Sequence, residues 1–440
     1  MAEPRVLFIS LDPVGEEMAG LAIRYVELAR ALAPHAQAIV AGTQAPDTAP
    51  PAGGVQTVSF DPHRPATIKP HIEAAHVVVT HPQWPIVTRW LRRSRARVVV
   101  DLYDPEALEA LEHFSDRRPA IRRLMHQLTL DRLDDALATG HLFVCASEKQ
   151  RDLWLGALLA RRLIGPELYD RDPSLRSAID VMPFGVPDEP PDDAGRDAIR
   201  ERFPQIGPDD EVVLWNGGIW SWLDAPTAIR AVSRLAERRP GVRLVFMGAH
   251  SGTAGARAGE EARSVARDLD LFGSVVLFND RWVPYAERAA WLLHADCAIS
   301  THRDHLETRF AFRTRLLDCL WAGLPVVCTT GDDLAERVER EGLGAAVAGR
   351  DDEALAAALE GVLARGRAAH GDALARAAED FRWSRVAQPL ARFLEEDPAP
   401  RPAGLAPHPG RVVATHMARA AAYRAGTRAL GALGLRPPSA

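Results

Sequence analysis

Short apolar runs that alternate with helix-forming segments most limit how this chain can fold. The first five runs are at residues 5–11, 35–41, 55–60, 75–80 and 97–101. Each is too short for a typical helix, and unbroken apolar runs are characteristic of parallel strands that are covered on both faces. The alternation therefore predicts an α/β fold in which the sheets are mostly parallel.

The length of the chain and a proline-rich segment near its middle indicate two domains. The chain has 440 residues, which is longer than a domain built around a single hydrophobic core usually is. The segment IDVMPFGVPDEPP at 179–191 runs from an apolar strand into a stretch of linker composition. We predict doubly wound domains at 1–188 and 189–385, a helix at 386–400 that returns to the first domain, and a basic tail at 401–440.

Composition excludes several classes of protein. Charged residues make up 25% of the chain and the net charge is −6, which describes a globular protein and gives no basis for nucleic-acid binding. No apolar run approaches the length of a membrane span, and the N-terminus opens directly into a strand, so we expect a cytoplasmic protein. Four cysteines lie in apolar runs without metal-ligand spacing, which predicts reduced core thiols: Cys145, Cys297, Cys319 and Cys328.

The tail has a composition of its own. It contains six arginines and no acidic residue. A basic segment can lie on an anionic membrane surface, which would place the protein peripherally at the inner membrane face. The alternative is a solvated tail, because its arginines are spread around a helical wheel and leave no clean apolar face.

A glycine-bearing loop follows the first strand of each predicted domain. Gly20 precedes the amphipathic helix LAIRYVELARALA, and Gly217 and Gly218 follow the strand EVVLWN. Glycine lets the backbone come close to a ligand, and a loop that leads into a helix favours phosphate. Each loop is therefore a candidate ligand loop, although many such loops only turn the chain.

Polar residues follow two further strands of the first domain, where parallel sheets bind their ligands. His81 follows HVVVT and is a candidate general base or acceptor-positioning group. Its alternative role is that of a turn residue before Pro82. Asp104, in DLYD, is a candidate acid or base, and its alternative role is to cap the following helix.

The stretch THRDHLETRFAFRTRLLDCLWAGLPVVCTT at 301–330 predicts a polar loop, a short helix, a Gly-Leu-Pro stop and a strand. Arg309, Arg313 and Arg315 crowd the start of the helix, where free backbone N–H groups favour phosphate. Asp318 lies about one turn further along, and its carboxylate is suited to accept hydrogen bonds from a ribose. The alternative is an amphipathic helix with solvated arginines.

The segment LLDCLWAGLPVV resembles family 4 of the nucleotide-sugar glycosyltransferases (glycosyl transferases group 1), which have the GT-B fold. The resemblance implies two Rossmann-like doubly wound domains that face each other across a cleft. It also implies that Asp318 binds the donor ribose, where the family has a glutamate. The second family glutamate, eight positions earlier, is Phe310 here, and Glu307 is the candidate substitute.

The resemblance implies a donor site in the second domain. The family neutralises the diphosphate with an arginine and a lysine, and the matching positions here are Gly218 and Leu223. Gly20 would face the diphosphate from the first domain. The other implied donor-binding residues are Arg303, Arg309, Arg313 and Thr314 near the phosphates, and Trp282 and Val283 beside the nucleobase.

These patterns predict a glycosyltransferase that moves a sugar from a UDP, TDP or GDP sugar to a glycan, lipid-linked or small-molecule acceptor. We expect retention at the anomeric carbon, and neither a metal nor a cofactor. A pyridoxal-phosphate phosphorylase would need a lysine in the second domain, and the chain has only Lys69 and Lys149. The remaining alternative is a non-catalytic GT-B protein that binds a nucleotide sugar.

Overall fold

In the computed structural model the described residues are 3–15, 18–43, 55–115, 117–193, 195–249 and 256–396, with the isolated positions 418 and 421. They form two compact units, one within Met1–Pro183 and Trp383–Ala440, and the other within Phe184–Arg382. Apart from those two positions, the predicted tail at 401–440, and with it the proposed membrane contact, lies outside the described residues.

A seven-stranded parallel sheet with strand order β3-β2-β1-β4-β5-β6-β7 forms the centre of the first unit. Its strands are β1 (Arg5–Ile9), β2 (Gln37–Gly42), β3 (Gln56–Ser59), β4 (Val77–Thr80), β5 (Arg97–Asp101), β6 (Leu142–Cys145) and β7 (Ile179–Val181). Every residue of β4 and β6 is buried, which explains their unbroken apolar runs. The strand order reverses between β1 and β4, so a ligand crevice is expected beyond the carboxyl ends of these two strands.

Helices connect the strands of the first unit. They are α1 (Gly20–Ala31), α2 (Lys69–Ala74), α3 (Pro85–Arg93), α4 (Glu106–His113), α5 (Pro119–Leu137), α6 (Glu148–Ala160) and α7 (Pro166–Arg171), with a 3₁₀ turn at Pro65–Ile68. Three of them, α3, α5 and α7, begin with a proline, whose missing N–H costs nothing at a helix start.

The second unit repeats this plan with a six-stranded parallel sheet of order β10-β9-β8-β11-β12-β13. Its strands are β8 (Glu211–Gly218), β9 (Val242–Gly248), β10 (Val276–Phe278), β11 (Cys297–Ser300), β12 (Val326–Thr329) and β13 (Gly344–Val347). The order reverses between β8 and β11. The predicted α/β fold with two Rossmann-like units is therefore confirmed.

The helices of the second unit include two short ones in the stretch 301–330. The full set is α8 (Ala198–Arg202), α9 (Ala225–Arg238), α10 (Ala256–Asp268), α11 (Ala289–Leu292), α12 (Leu306–Phe310), α13 (Thr314–Trp321), α14 (Asp333–Glu341), α15 (Asp352–Arg365) and α16 (Gly371–Glu379), with 3₁₀ turns at Tyr285–Glu287 and Arg367–His370. The four cysteines predicted as core thiols are free and buried.

After the second unit, the chain forms two helices where the sequence predicted one. They are α17 (Trp383–Val386) and α18 (Gln388–Glu395), and both belong to the first unit. Pro389 explains the break, because a proline inside a helix removes a hydrogen bond and clashes with the carbonyl four residues earlier. No helix in the described ranges is long and apolar enough to cross a membrane.

A buried ion pair joins α1 to β5 in the first unit. Arg24 and Asp101 have fully buried side chains, and the Nε of Arg24 lies 2.7 Å from Oδ2 of Asp101. The same guanidinium donates to the carbonyl oxygens of Met182 at 2.7 Å and Pro183 at 2.5 Å. One arginine thus satisfies buried acceptors at the end of β5 and after β7, near the site where the chain leaves the unit.

We expect Arg24→Met to lower the free energy of unfolding by about 3–5 kcal/mol, because it leaves the carboxylate of Asp101 buried without its cation. Chemical denaturation followed by circular dichroism measures this change. Lys69→Met, at an exposed ion pair with Glu73, is the control and should change stability by less than about 0.5 kcal/mol. The double variant Arg24→Met/Asp101→Leu should be more stable than Arg24→Met. If the free energy of unfolding falls by the same amount in the single and the double variant, the ion-pair explanation is contradicted.

Candidate functional site

Three loops meet at the carboxyl edge of the sheet in the second unit. The backbone N–H of Asp224, after β8, donates to the carbonyl oxygen of Thr301, after β11, at 3.0 Å, and the hydroxyl of Thr301 donates to the carbonyl oxygen of Asp224 at 2.7 Å. The backbone N–H of His302 donates to the hydroxyl of Thr329 at the end of β12, at 2.8 Å. The loops after β8, β11 and β12 therefore form one cluster at the reversal of strand order.

Gly217 and Gly218, predicted to lie in a loop after the strand, are instead the last two residues of β8, and Gly218 pairs with Gly248 beyond a shift in register. Gly217 has a φ of +109°, a conformation that side chains with a Cβ rarely adopt. Gly248, at the end of β9, lies so close that a Cβ on it would be 2.9 Å from the carbonyl carbon and oxygen of Gly217. The local backbone therefore requires glycine at both 217 and 248.

Arg315 lies directly beside Gly217 and Gly218. Its guanidinium carbon would be 3.7 Å from a Cβ on Gly217, and its Nη2 donates to the carbonyl oxygen of Gly218 at 3.2 Å. Burial, together with the nearby Arg313, lowers the pKa of Arg315 to about 10, so it is still a cation at neutral pH. Arg315 is on the first turn of α13, where a cation is disfavoured by the helix dipole.

The other arginines of the stretch have different environments. Arg313 forms a fully buried ion pair with Asp332, whose other oxygen accepts from the N–H groups at the start of α14. Arg303 contacts Glu261 at 3.3 Å, and Arg309 is exposed. Of the three arginines predicted to bind the donor, Arg313 therefore ties α13 to α14, and Arg303 and Arg309 lie at the surface.

Several buried polar atoms at this edge have no hydrogen-bond partner among the described residues. They are Oδ1 of Asn216, Oγ of Ser300, Nδ1 of His302 and Nη1 of Arg315. Asn216 is anchored by its other amide atom, which donates to the carbonyl oxygen of Arg315 at 2.7 Å. Buried polar groups are nearly always paired in native proteins, so four unpaired ones at the carboxyl edge of one sheet indicate a ligand site.

His302 is neutral in this cluster. Burial, followed by the charges of Arg313, Arg315 and His305, lowers the pKa of His302 well below its usual range. The imidazole therefore offers one donor and one acceptor nitrogen and adds no charge of its own.

Asp318 lies one turn into α13 and is bonded to Arg288. The Nε of Arg288 donates to Oδ1 of Asp318 at 3.0 Å, and the Asp318 side chain is 27% exposed. The guanidinium of Arg288 lies between two rings, with its carbon 3.5 Å from the ring centre of Tyr285 and 4.4 Å from that of Trp321. The carboxylate of Asp318 is thus oriented by a cation that the sequence did not reveal.

The remaining predicted residues of the second unit surround these groups. Thr314 is the first residue of α13, which begins without a side-chain cap. Glu307 is buried in α12, 3.6 Å from Nδ1 of His305. Trp282 is 44% exposed in the loop after β10, and Val283 beside it is partly buried.

The predicted residues of the first unit follow its own strands. Gly20 is the exposed first residue of α1, with open space where a Cβ would stand. Asp104 is exposed and lies directly before Pro105, the N-cap of α4. His81 is buried, and burial, with a smaller contribution from Arg132, lowers its pKa to about 3. His81 is therefore neutral at pH 7.

The sequence analysis named Arg315 only together with Arg309 and Arg313. It did not identify Arg288, His302 or Asn216 as candidates. No spacing marks them, because each acts through a contact with a distant segment. Arg288 and Asp318 are 30 residues apart, and Asn216 and Arg315 are 99 apart. Among the residues that the structure describes, no group of three or more His, Cys, Asp or Glu side chains could hold a metal ion.

Comparison with known families supports the resemblance predicted from LLDCLWAGLPVV. Residues 210–365 match the family described as Glycosyl transferases group 1. This range contains β8 to β13 and every donor-binding residue predicted in the second unit. The predicted resemblance to group 1 glycosyltransferases is therefore confirmed over this range. Comparison with the curated proteins found no match.

Solved structures with the same fold cover most of the chain. A glycosyltransferase from Rickettsia africae has a TM-score of 0.62 at 13% identity, with 90% of this chain and 98% of that chain covered. Anabaena HepE in complex with UDP-glucose has a TM-score of 0.64 at 14% identity, over 89% and 99%. Trehalose 6-phosphate synthase from Burkholderia multivorans has a TM-score of 0.60 at 15% identity, over 89% and 98%.

We expect Gly248→Ala to lower the free energy of unfolding by about 1–3 kcal/mol, because the new methyl group would press on the backbone of Gly217. Thermal unfolding measures the loss. Gly361→Ala is the matched control: this glycine lies inside α15 with nothing within 4 Å of a Cβ, so the change should stabilise by about 0.5–1 kcal/mol. Equal effects of the two substitutions would contradict the close packing.

We expect His81 and His302 to remain neutral down to pH 5. Because their pKa values are lower in the folded than in the unfolded protein, the stability they contribute is complete above about pH 6.5 and is lost as the pH falls below it. Each histidine can change the free energy of unfolding by up to about 1.4 kcal/mol for each pH unit. Histidine NMR titration measures this, with His81→Gln and His302→Gln assigning the signals; a midpoint near 6.5 for either would contradict the burial argument.

Proposed function

We propose that this protein, as a glycosyltransferase, holds a nucleotide diphosphate sugar at the carboxyl edge of its second sheet and transfers the sugar to an acceptor. The acceptor is a glycan, a lipid-linked intermediate or a small molecule, and we assign its recognition to the first unit. The non-catalytic alternative would share the same nucleotide-binding site. The UDP-glucose bound to Anabaena HepE supports a UDP sugar as the first donor to test.

The observation that carries the proposal is the Nη1 of Arg315, which is unpaired among the described residues and lies beside Gly217 and Gly218 at the end of β8. A buried cation without a counter-ion is costly, and a bound diphosphate would supply the missing negative charge. The uncapped start of α13 adds backbone N–H groups and a positive dipole end at the same location. A guanidinium and a helix start together form a strong anion site.

The same groups account for catalysis. When the bond between the sugar and the diphosphate breaks, negative charge grows on the leaving phosphate oxygen. Arg315 and the N–H groups of α13 are already oriented toward the diphosphate position, so they stabilise this charge without rearranging. Positive charge supplied by the chain is sufficient in this scheme, and we propose transfer without a metal ion or cofactor, with retention at the anomeric carbon.

The other candidates receive roles around this centre. Asp318, held by Arg288, accepts from a ribose hydroxyl through its second oxygen, and Trp282 and Val283 contact the nucleobase. Arg313 acts as a positioning residue that fixes the start of α13. Supporting donor contacts are assigned to Gly20, Gly217, Gly218, Thr314, Arg303 and Arg309, and the candidate catalytic groups are His81, Asp104 and Glu307.

We expect Arg315→Met to weaken the binding of UDP or another preferred nucleoside diphosphate by about 10–100-fold, because it removes a charge-assisted bond to the phosphates. It should leave the much weaker binding of the free nucleoside unchanged. Asp318→Ala should weaken both ligands, since the ribose occurs in both. Isothermal titration calorimetry with the diphosphates and nucleosides of uracil, thymine and guanine measures these effects.

Arg340→Met is the matched control, because Arg340 is an exposed arginine on α14 of the same unit, paired with Glu341, and has no assigned donor contact. It should change the affinity less than about twofold. The proposal fails if no nucleoside diphosphate binds the wild-type protein, or if Arg340→Met weakens binding as much as Arg315→Met. Donor binding without turnover on any acceptor would favour the non-catalytic alternative.

A further inference from the structure

A second cluster of buried polar atoms lies in the first unit, directly after β4. Gln83 is only 1% exposed and His81 is 8% exposed. Neither Oε1 of Gln83 nor Nδ1 of His81 has a hydrogen-bond partner among the described residues. Gln83 lies at the carboxyl end of β4, beside the reversal of strand order in the first sheet. The proposed donor site, which is in the second unit, does not use it.

The backbone around these two side chains is held in place. The hydroxyl of Thr80 donates to the carbonyl oxygen of His81 at 3.1 Å, and the hydroxyl of Thr88 donates to that of Gln83 at 3.4 Å. Both threonines are buried. The side chains of His81 and Gln83 are therefore presented from a fixed turn between β4 and α3, which favours a preformed site.

The pair offers one hydrogen-bond donor and one acceptor. Nε2 of His81 and Nε2 of Gln83 are 3.5 Å apart. If the amide donates to the imidazole, the free atoms are a protonated Nδ1 and the carbonyl Oε1. If the amide is turned over, the free atoms are an accepting Nδ1 and the amide NH₂. In both cases the pair complements a hydroxyl group, which donates once and accepts.

The surroundings are aromatic and electrically balanced. Trp84 follows Gln83 in the chain and is 39% exposed, so part of its indole is open to a ligand. The guanidinium carbon of Arg132 lies 5.6 Å from the Trp84 ring centre, and its Nη2 is 2.9 Å from a carboxylate oxygen of Glu106. An aromatic surface beside a charge-neutral polar pair suits a ring that is polar at its rim and apolar on its face.

We propose that His81, Gln83 and Trp84 form the acceptor site, and that the acceptor is a neutral saccharide whose hydroxyl bonds to the His81–Gln83 pair while its ring lies on Trp84. This inference rests on the proposed function, which it deepens by naming the acceptor class and the residues that hold it. An acceptor that is recognised through a charged group or through a lipid chain alone is the competing outcome.

A structural role for Gln83 predicts different behaviour from a binding role. The Oε1 atom has no partner among the described residues, so replacing Gln83 with leucine removes only the 3.5 Å contact between its Nε2 and His81, and should lower the thermal unfolding temperature little. A loss of saccharide binding without a loss of stability would therefore identify a ligand contact.

The test is ligand-observed NMR on the full chain with the methyl glycosides of glucose, galactose, mannose and N-acetylglucosamine, each at about 5 mM to detect millimolar affinity. We expect at least one to bind the wild-type protein. Gln83→Leu and Trp84→Ala should each weaken it about tenfold. Gln127→Leu is the matched control, because Gln127 bonds to Asp131 on its own helix, and it should bind as the wild type does.

Nucleoside diphosphate affinity is measured in parallel on every variant. It should stay within twofold of the wild type, which separates a failure of this inference from a failure of the donor site. If no glycoside binds the wild-type protein, or if Gln83→Leu binds as well as Gln127→Leu does, the inference is overturned. If Gln83→Leu proves unstable, Trp84→Ala decides, with Trp84→Phe expected to keep most of the binding.

Discussion

The hydrogen bonds between Asp224 and Thr301 hold together two segments that are 77 residues apart, and the site in the second unit depends on them. They are possible because β8 and β11 are neighbours in a parallel sheet, so both chains emerge at the same edge. Gly217 and Gly218 end β8, and the loop that leads to α12 and α13 follows β11. A parallel sheet thus brings polar residues that are distant in the sequence together in one compact cluster.

Two arginines of this cluster, separated by one residue, have opposite surroundings. Arg313 is neutralised in the interior by Asp332, and that ion pair also fixes the start of α13. Arg315 has no carboxylate partner among the residues that the structure describes, and it lies beside the backbone of Gly217 and Gly218. Of these two arginines, the first therefore supports the start of the helix that carries the second, and only the second has a charge that is not matched by a described carboxylate.

The aspartate on α13 is also held by a neighbouring side chain. Asp318 has a shorter side chain than the glutamate of the family it resembles, and Arg288 contacts its carboxylate. Tyr285 and Trp321 both contact the guanidinium of Arg288, which donates to Oδ1 of Asp318. A short side chain that is held in this way can replace a longer one that is free to rotate.

The sequence by itself determined the α/β class, the two units and the stretch around which the site is built, because buried parallel strands need unbroken apolar runs and tight backbone turns need glycine. Gly217 and Gly218 were singled out in this way, and Asp318 by its place on the predicted helix and by the family resemblance. The sequence did not separate Arg315 from Arg303, Arg309 and Arg313, or reveal Arg288, His302 and Gln83. Local spacing records which side chains are available, whereas burial, ion pairing and unpaired polar atoms arise between distant segments, and only the tertiary structure decided them.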